Sequence, residues 1–187
     1  GDSVFVTLER WSSRLYLVAA AVMVVFVLNT ALRLSQGTSS PVVQEFVAPA
    51  GFFIGLVGLV GLYRGLSRNA RRLAQVSLAL AALSALNWGA IVVAGVLETA
   101  SVVPENAAFQ ALTGILALFS MILAYGLFGI ASTLTGTHRR IIGALLLLES
   151  VTFVAMFVNK AAGIGAPVIV FELSHLVVYL GIGVVHS

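Results

Sequence analysis

LYLVAAAVMVVFVLNTALRL, Leu15 to Leu34, carries one charge, Arg33, in a run long enough to cross a bilayer as a helix, which takes about 20 apolar residues. Five further stretches read the same way. They are Val47 to Leu62, Leu73 to Leu97, Ala107 to Leu134, Ile141 to Val158 and Val168 to Val185, the shorter ones needing tilt or flanking help to span. The prediction is an all-α, polytopic integral membrane protein with six transmembrane helices, a single domain over residues 1–187. Residues 1–14 read as an interfacial segment, in which Val4, Phe5, Leu8 and Trp11 suit the headgroup level.

Composition agrees and excludes other classes. Hydrophobic residues make up 60% of the chain and charged ones 9%, far from a soluble domain. No connection exceeds about a dozen residues, too little for an extramembrane catalytic domain. With no cysteine there is no disulfide, thiolate metal site, thioether-linked haem or Cys nucleophile. The first span is too long for a cleavable signal, and Asn29-Thr30-Ala31-Leu32-Arg33 lacks a small-x-small exit.

Charge orients the spans. Arg10, Arg14, Arg64, Arg68, Arg71, Arg72, Arg139 and Arg140 fall on one side, and only Arg33 and Lys160 on the other. The positive-inside rule then puts both termini in the cytoplasm of a cell membrane, with Glu45, Glu98 and Glu105 outside. The net charge of +3 is read as topology, and no nucleic-acid partner is expected because the largest arginine group occupies one short loop. The preference for arginine over a single lysine suggests a prokaryotic source.

Internal repetition is suggested by Pro41, Pro104 and Pro167, spaced twice by 63 residues, each before an even-numbered span. Phe46-x-Ala48-x-x-Gly51 recurs as Phe109-x-Ala111-x-x-Gly114, and Arg14-Leu15 followed by Leu28-Asn29 as Arg72-Leu73 followed by Leu86-Asn87. Three repeated helical hairpins would produce this, although proline suits the first turn of any helix.

The third hairpin breaks the pattern with ionisable residues. Helical period puts Glu149, Thr152, Met156 and Lys160 on one face of the fifth span, and Glu172, His175, Tyr179 and His186 on one face of the sixth. At 1.5 Å per residue, Glu149 lies about 16 Å from the outer end, level with the gap between His175 at about 12 Å and Tyr179 at about 18 Å; Glu172 is shallower, at about 8 Å. A midplane charge facing lipid costs about 2.5 kcal/mol or more, so Glu149 is expected to face protein or water, partnered or protonated. Two uses fit: a hydrogen-bonded clamp between helices, or a proton relay through Glu149, Glu172, His175 and Tyr179.

Other chemistries are weaker. Glu172-x-x-His175 resembles half of a di-iron motif, but the second half is missing and no metal is expected. Bis-histidine haem needs two imidazoles at one depth, and only His175 is within the bundle. Retinal needs an internal lysine, whereas Lys160 ends its span. No cofactor is predicted.

Gly51, Gly55, Gly58, Gly61 and Gly65 recur at three- and four-residue steps along the second span, a stripe for close helix packing, with the first span as the expected partner. In the third span Ser77, Ser84, Asn87 and Trp88 form a polar patch; Asn87, about 15 Å from the outer end, could join Glu149 if the third and fifth spans share a centre. The functional reading is a non-enzymatic helical module, an accessory subunit or a small-ligand or lipid-binding membrane protein. Membrane lipid and a protein subunit or second copy are its expected partners. The alternative is a small proton-linked transporter built on Glu149, Glu172 and His175. A membrane enzyme comes third, for want of paired metal ligands, an activated nucleophile or a phosphate-binding loop.

Overall fold

The computed structural model describes residues 2–38, 40 and 43–187, so Pro41, the first of the three evenly spaced prolines, lies outside the described residues. The helices are α1 (Asp2–Gln36), α2 (Ala48–Gly61), α3 (Tyr63–Ser67), α4 (Arg71–Thr99), α5 (Ala107–Thr135), α6 (Arg140–Ala161) and α7 (Val168–Val185), with a π-helical turn at Val43–Val47 leading into α2. Six helical stretches are long and apolar enough to cross a membrane, the turn, α2 and α3 together supplying the second, Glu45–Ser67.

Two boundaries depart from the sequence reading. Residues 2–14 continue the first spanning helix without a break: no glycine or proline interrupts Asp2 to Gln36, and the helix runs through all 35 residues. At 1.5 Å per residue α1 is about 52 Å long, well beyond a hydrocarbon core of about 30 Å. The second span is not one regular helix from Val47 to Leu62. Pro49 has no N–H to offer the carbonyl of Glu45, where an α-helix would place a bond, and the chain is wound there into the wider π turn.

Ends follow local chemistry. Asn106 caps α5, its side chain accepting from the Phe109 N–H at 3.0 Å. Gly136, left-handed at φ 63°, closes the other end, its N–H bonding the Ser132 carbonyl at 3.1 Å.

Each spanning helix packs against its neighbours in sequence, and α1 packs against α7, so the six form a closed ring. Side chains fill the centre: Tyr16 from α1, Phe52 and Leu56 from α2, Tyr125 and Phe128 from α5, Phe153 from α6 and Tyr179 from α7 are buried. Leu28, Leu86, Leu134 and Val177 are exposed on the outside while Glu149, Glu172 and His175 are buried within. This inverted distribution suits a bundle solvated by hydrocarbon.

Glycine sets the α1–α2 approach. A Cβ at Gly58 would lie 2.9 Å from the Tyr16 ring, and one at Gly61 would lie 2.5 Å from the Leu8 carbonyl oxygen. Gly51 meets Val22 and Met23 of the same helix. Gly55 points elsewhere, to the centre, where its Cβ would meet the Tyr179 ring at 3.1 Å and the Tyr125 hydroxyl at 3.2 Å.

Candidate functional site

Glu149 and His175 meet across the α6–α7 contact. The His175 Nδ1 stands 2.5 Å from the Glu149 Oε1, with both side chains buried. A contact that short between a carboxyl and an imidazole is a hydrogen bond, and it is charge-assisted when the carboxyl is ionised. The Tyr179 hydroxyl donates to the same Oε1 at 3.3 Å. Glu149 Oε2 is buried with no hydrogen-bond partner.

Apolar groups surround the imidazole. The Phe153 ring centre is 4.5 Å away and that of Phe52 5.2 Å, edge-on, while Met156 Sδ is 3.4 Å from Nε2. One turn toward Lys160, Thr152 and Ser174 pair their hydroxyls at 2.6 Å, a second polar tie between α6 and α7.

Beyond Tyr179 the polar groups continue as phenols. Tyr16 and Tyr125 share a hydrogen bond of 3.2 Å between hydroxyls, and the Tyr16 and Tyr179 rings are 5.8 Å apart. Three tyrosines from three helices thus converge beside Glu149, in space that Gly55 leaves open. The sequence reading named only Tyr179. The signal for Tyr125 was present, since it is a lone phenol well inside an apolar run, whereas Tyr16 opens its run where tyrosine is ordinary.

Glu172 belongs to a separate contact. It accepts from Thr30 Oγ1 of α1 at 2.9 Å, and its own Oε2 is buried without a partner. It stands three residues before His175, on the flank of α7 toward α1 rather than α6. Asn87 stays out of the centre: its amide donates to the Leu83 carbonyl of its own helix at 2.8 Å. Of the polar patch on α4, the residue that hydrogen-bonds a neighbouring helix is Ser84, which donates to the Ala117 carbonyl of α5 at 2.8 Å.

At the opposite end of α7 from Glu172, His186 faces His138, from the α5–α6 connection, with ring centres 5.8 Å apart. Burial holds both imidazoles below the ordinary 6.5; the neighbouring His186 lowers His138 further, while a bond to the Leu62 backbone and the charge of Glu9 oppose this. Glu9 pairs with Arg64 at 3.0 Å, half-exposed and worth little in stability. The α7 face therefore carries Glu172, His175, Tyr179 and His186 in order along its length.

Among the described residues no group of three or more His, Cys, Asp or Glu side chains converges to hold a metal. The arrangement can hold one proton between Glu149 and His175, with Tyr179 adding a donor. Compared with known proteins, the chain matches no family model, no curated protein and no solved structure.

Proposed function

We propose that the protein is a non-enzymatic helical module of the cell membrane, an accessory or ligand-binding bundle whose closed form is held from within by the Glu149–His175 pair. The observation that carries this is the 2.5 Å contact itself, made between fully packed helices at the centre of the ring. A polar bond between helices in a membrane adds about 0.6 to 2 kcal/mol and sets which faces meet. With α7 also tied to α1 through Glu172 and Thr30, and to α6 again through Ser174 and Thr152, one helix carries polar ties to both of its neighbours in the ring.

A second reading is favoured by one specific observation. Glu149 Oε2 is buried and unpartnered, and the hydroxyls of Tyr179, Tyr125 and Tyr16 lead away from the same carboxyl. A half-satisfied polar group at the centre of a bundle is poor structural material, and intramembrane carboxylates often serve proton movement. On this reading the pair passes a proton in a small proton-linked transporter.

Glu149→Gln and Glu149→Leu separate the two. As a clamp, the amide keeps a hydrogen bond and holds the melting temperature in detergent close to wild type, whereas Leu leaves His175 unpaired and lowers it. As a relay, both variants abolish proton flux into vesicles containing the purified protein. Flux preserved in Glu149→Gln sinks the relay; a melting temperature unchanged in Glu149→Leu sinks the clamp.

A further inference from the structure

Lys160, at the end of α6, stands beside a groove of about 400 Å³ between that end and the start of α7. The size is within the usual range of ligand sites. Its walls are Val168 and Phe171 of α7 and Met156 of α6, and its rim is the connection through Gly163 and Gly165. Those glycines are left-handed, at φ 63° and 79°, and the loop is pinned from inside. Asn159 accepts from the Ala166 N–H at 2.8 Å and donates to the Ala166 carbonyl at 3.2 Å. The groove is thus bounded by an ordered turn.

Charge identifies what fits. The ion pairs among the described residues are Arg64–Glu9 and His175–Glu149, so Lys160 is bonded to no carboxylate there. Lys160 is exposed, and Phe157, Ile164 and Val168 around it are exposed apolar groups. A cation at the end of a spanning helix, beside an apolar groove, matches a molecule with an anionic head and a hydrocarbon chain lying along the helix.

We propose that the groove between the Lys160 end of α6 and the start of α7 binds one anionic membrane phospholipid, its phosphate on the Lys160 ammonium and its upper acyl carbons against Val168, Phe171 and Met156. This names a ligand class for the module proposed above, and rests on that reading in taking the bundle to lie in a bilayer. The innermost wall gives the site reach into the centre. Met156 touches the groove and places its sulfur 3.4 Å from His175 Nε2, so an acyl chain packed on Met156 supports the side chain that backs the Glu149–His175 pair.

The test uses the full chain purified in a nonionic detergent and titrated with phosphatidylglycerol or phosphatidylcholine, read by native mass spectrometry and by melting temperature. Wild type is expected to retain phosphatidylglycerol in preference and to melt higher with it. Lys160→Gln should weaken that retention about fivefold, the worth of one basic residue at an anionic lipid surface, and Lys160→Arg should restore it. Val168→Trp, which fills the groove and leaves the lysine in place, should displace the lipid. Arg33→Gln, removing the other basic residue on that side, should change nothing. Equal retention of the two lipids by wild type, undiminished phosphatidylglycerol in Lys160→Gln or Val168→Trp, or an equal loss in Arg33→Gln would overturn the proposal. Failure here is distinct from failure of the clamp, which is read from the Glu149 variants without added lipid.

Discussion

Single atoms decide most at the centre of this bundle. Gly58 is one case: even a methyl group there would stand 2.9 Å from two carbons of the Tyr16 ring, whose hydroxyl is bonded to Tyr125. Gly58→Leu is expected to cost about 1 to 3 kcal/mol by overpacking and to lower the melting temperature in detergent, with Gly58→Ala falling between. A leucine variant that melts with wild type would show that the α1–α2 contact is not tight. The stripe was legible as small residues at helical steps, and so was its main partner. That Gly55 leaves the stripe to make room for two phenols was not, because spacing along one helix carries no information on which of two neighbours a given turn meets. Asn87 shows the same limit: its depth is right for the centre, but its angle about α4 lets it bond its own backbone.

Elements add the ends, where helices leave hydrocarbon and titration becomes accessible. His138 and His186 join the α5–α6 connection to the last turn of α7, and burial lowers both below 6.5. The unfolded chain therefore takes up protons at a higher pH than the folded one. Their contribution is fully present above about 6.5 and is lost as pH falls through the lower folded values. Melting temperatures measured from pH 7.5 to 5.5 should fall on acidification, and His138→Asn, which keeps a side-chain donor, should flatten the fall. A profile identical in wild type and variant would remove His138 from the account. Sequence order placed His138 in a loop and His186 on the Tyr179 face, but their meeting depends on how the antiparallel α6–α7 pair returns the end of α7 to the start of α6. No local periodicity reports that.

Across the whole molecule, hydropathy made the architecture plain, because six apolar runs with short connections leave little other than a helical bundle. The π turn before α2 and the unbroken length of α1 were missed, since hydropathy is blind to winding and the interfacial segment differs from its span in polarity rather than helicity. Orientation rests on the arginine distribution. Cysteines placed singly at Val102 and Asn69, both exposed and at opposite ends of α4, should react differently with an impermeant thiol reagent on intact cells. Val102→Cys is expected to label and Asn69→Cys to stay silent until the membrane is opened. The reverse pattern would invert the topology.

The seam between α1 and α7 also sets a timetable for synthesis. Thr30 and Glu172, the two groups bonded across it, are separated by 142 residues of chain. At 5 to 20 residues per second, about 7 to 30 s pass between their emergence from the ribosome. Through that interval α1 has the glycines of α2 to hold one side, while the side bearing Thr30 waits for a helix not yet made. Glu172 arrives with the last helix and finds its hydroxyl donor already in the membrane. The ring is thus closed by α7, and any event that delays it leaves an open bundle with the Thr30 hydroxyl of α1 turned outward to whatever in the membrane can receive it.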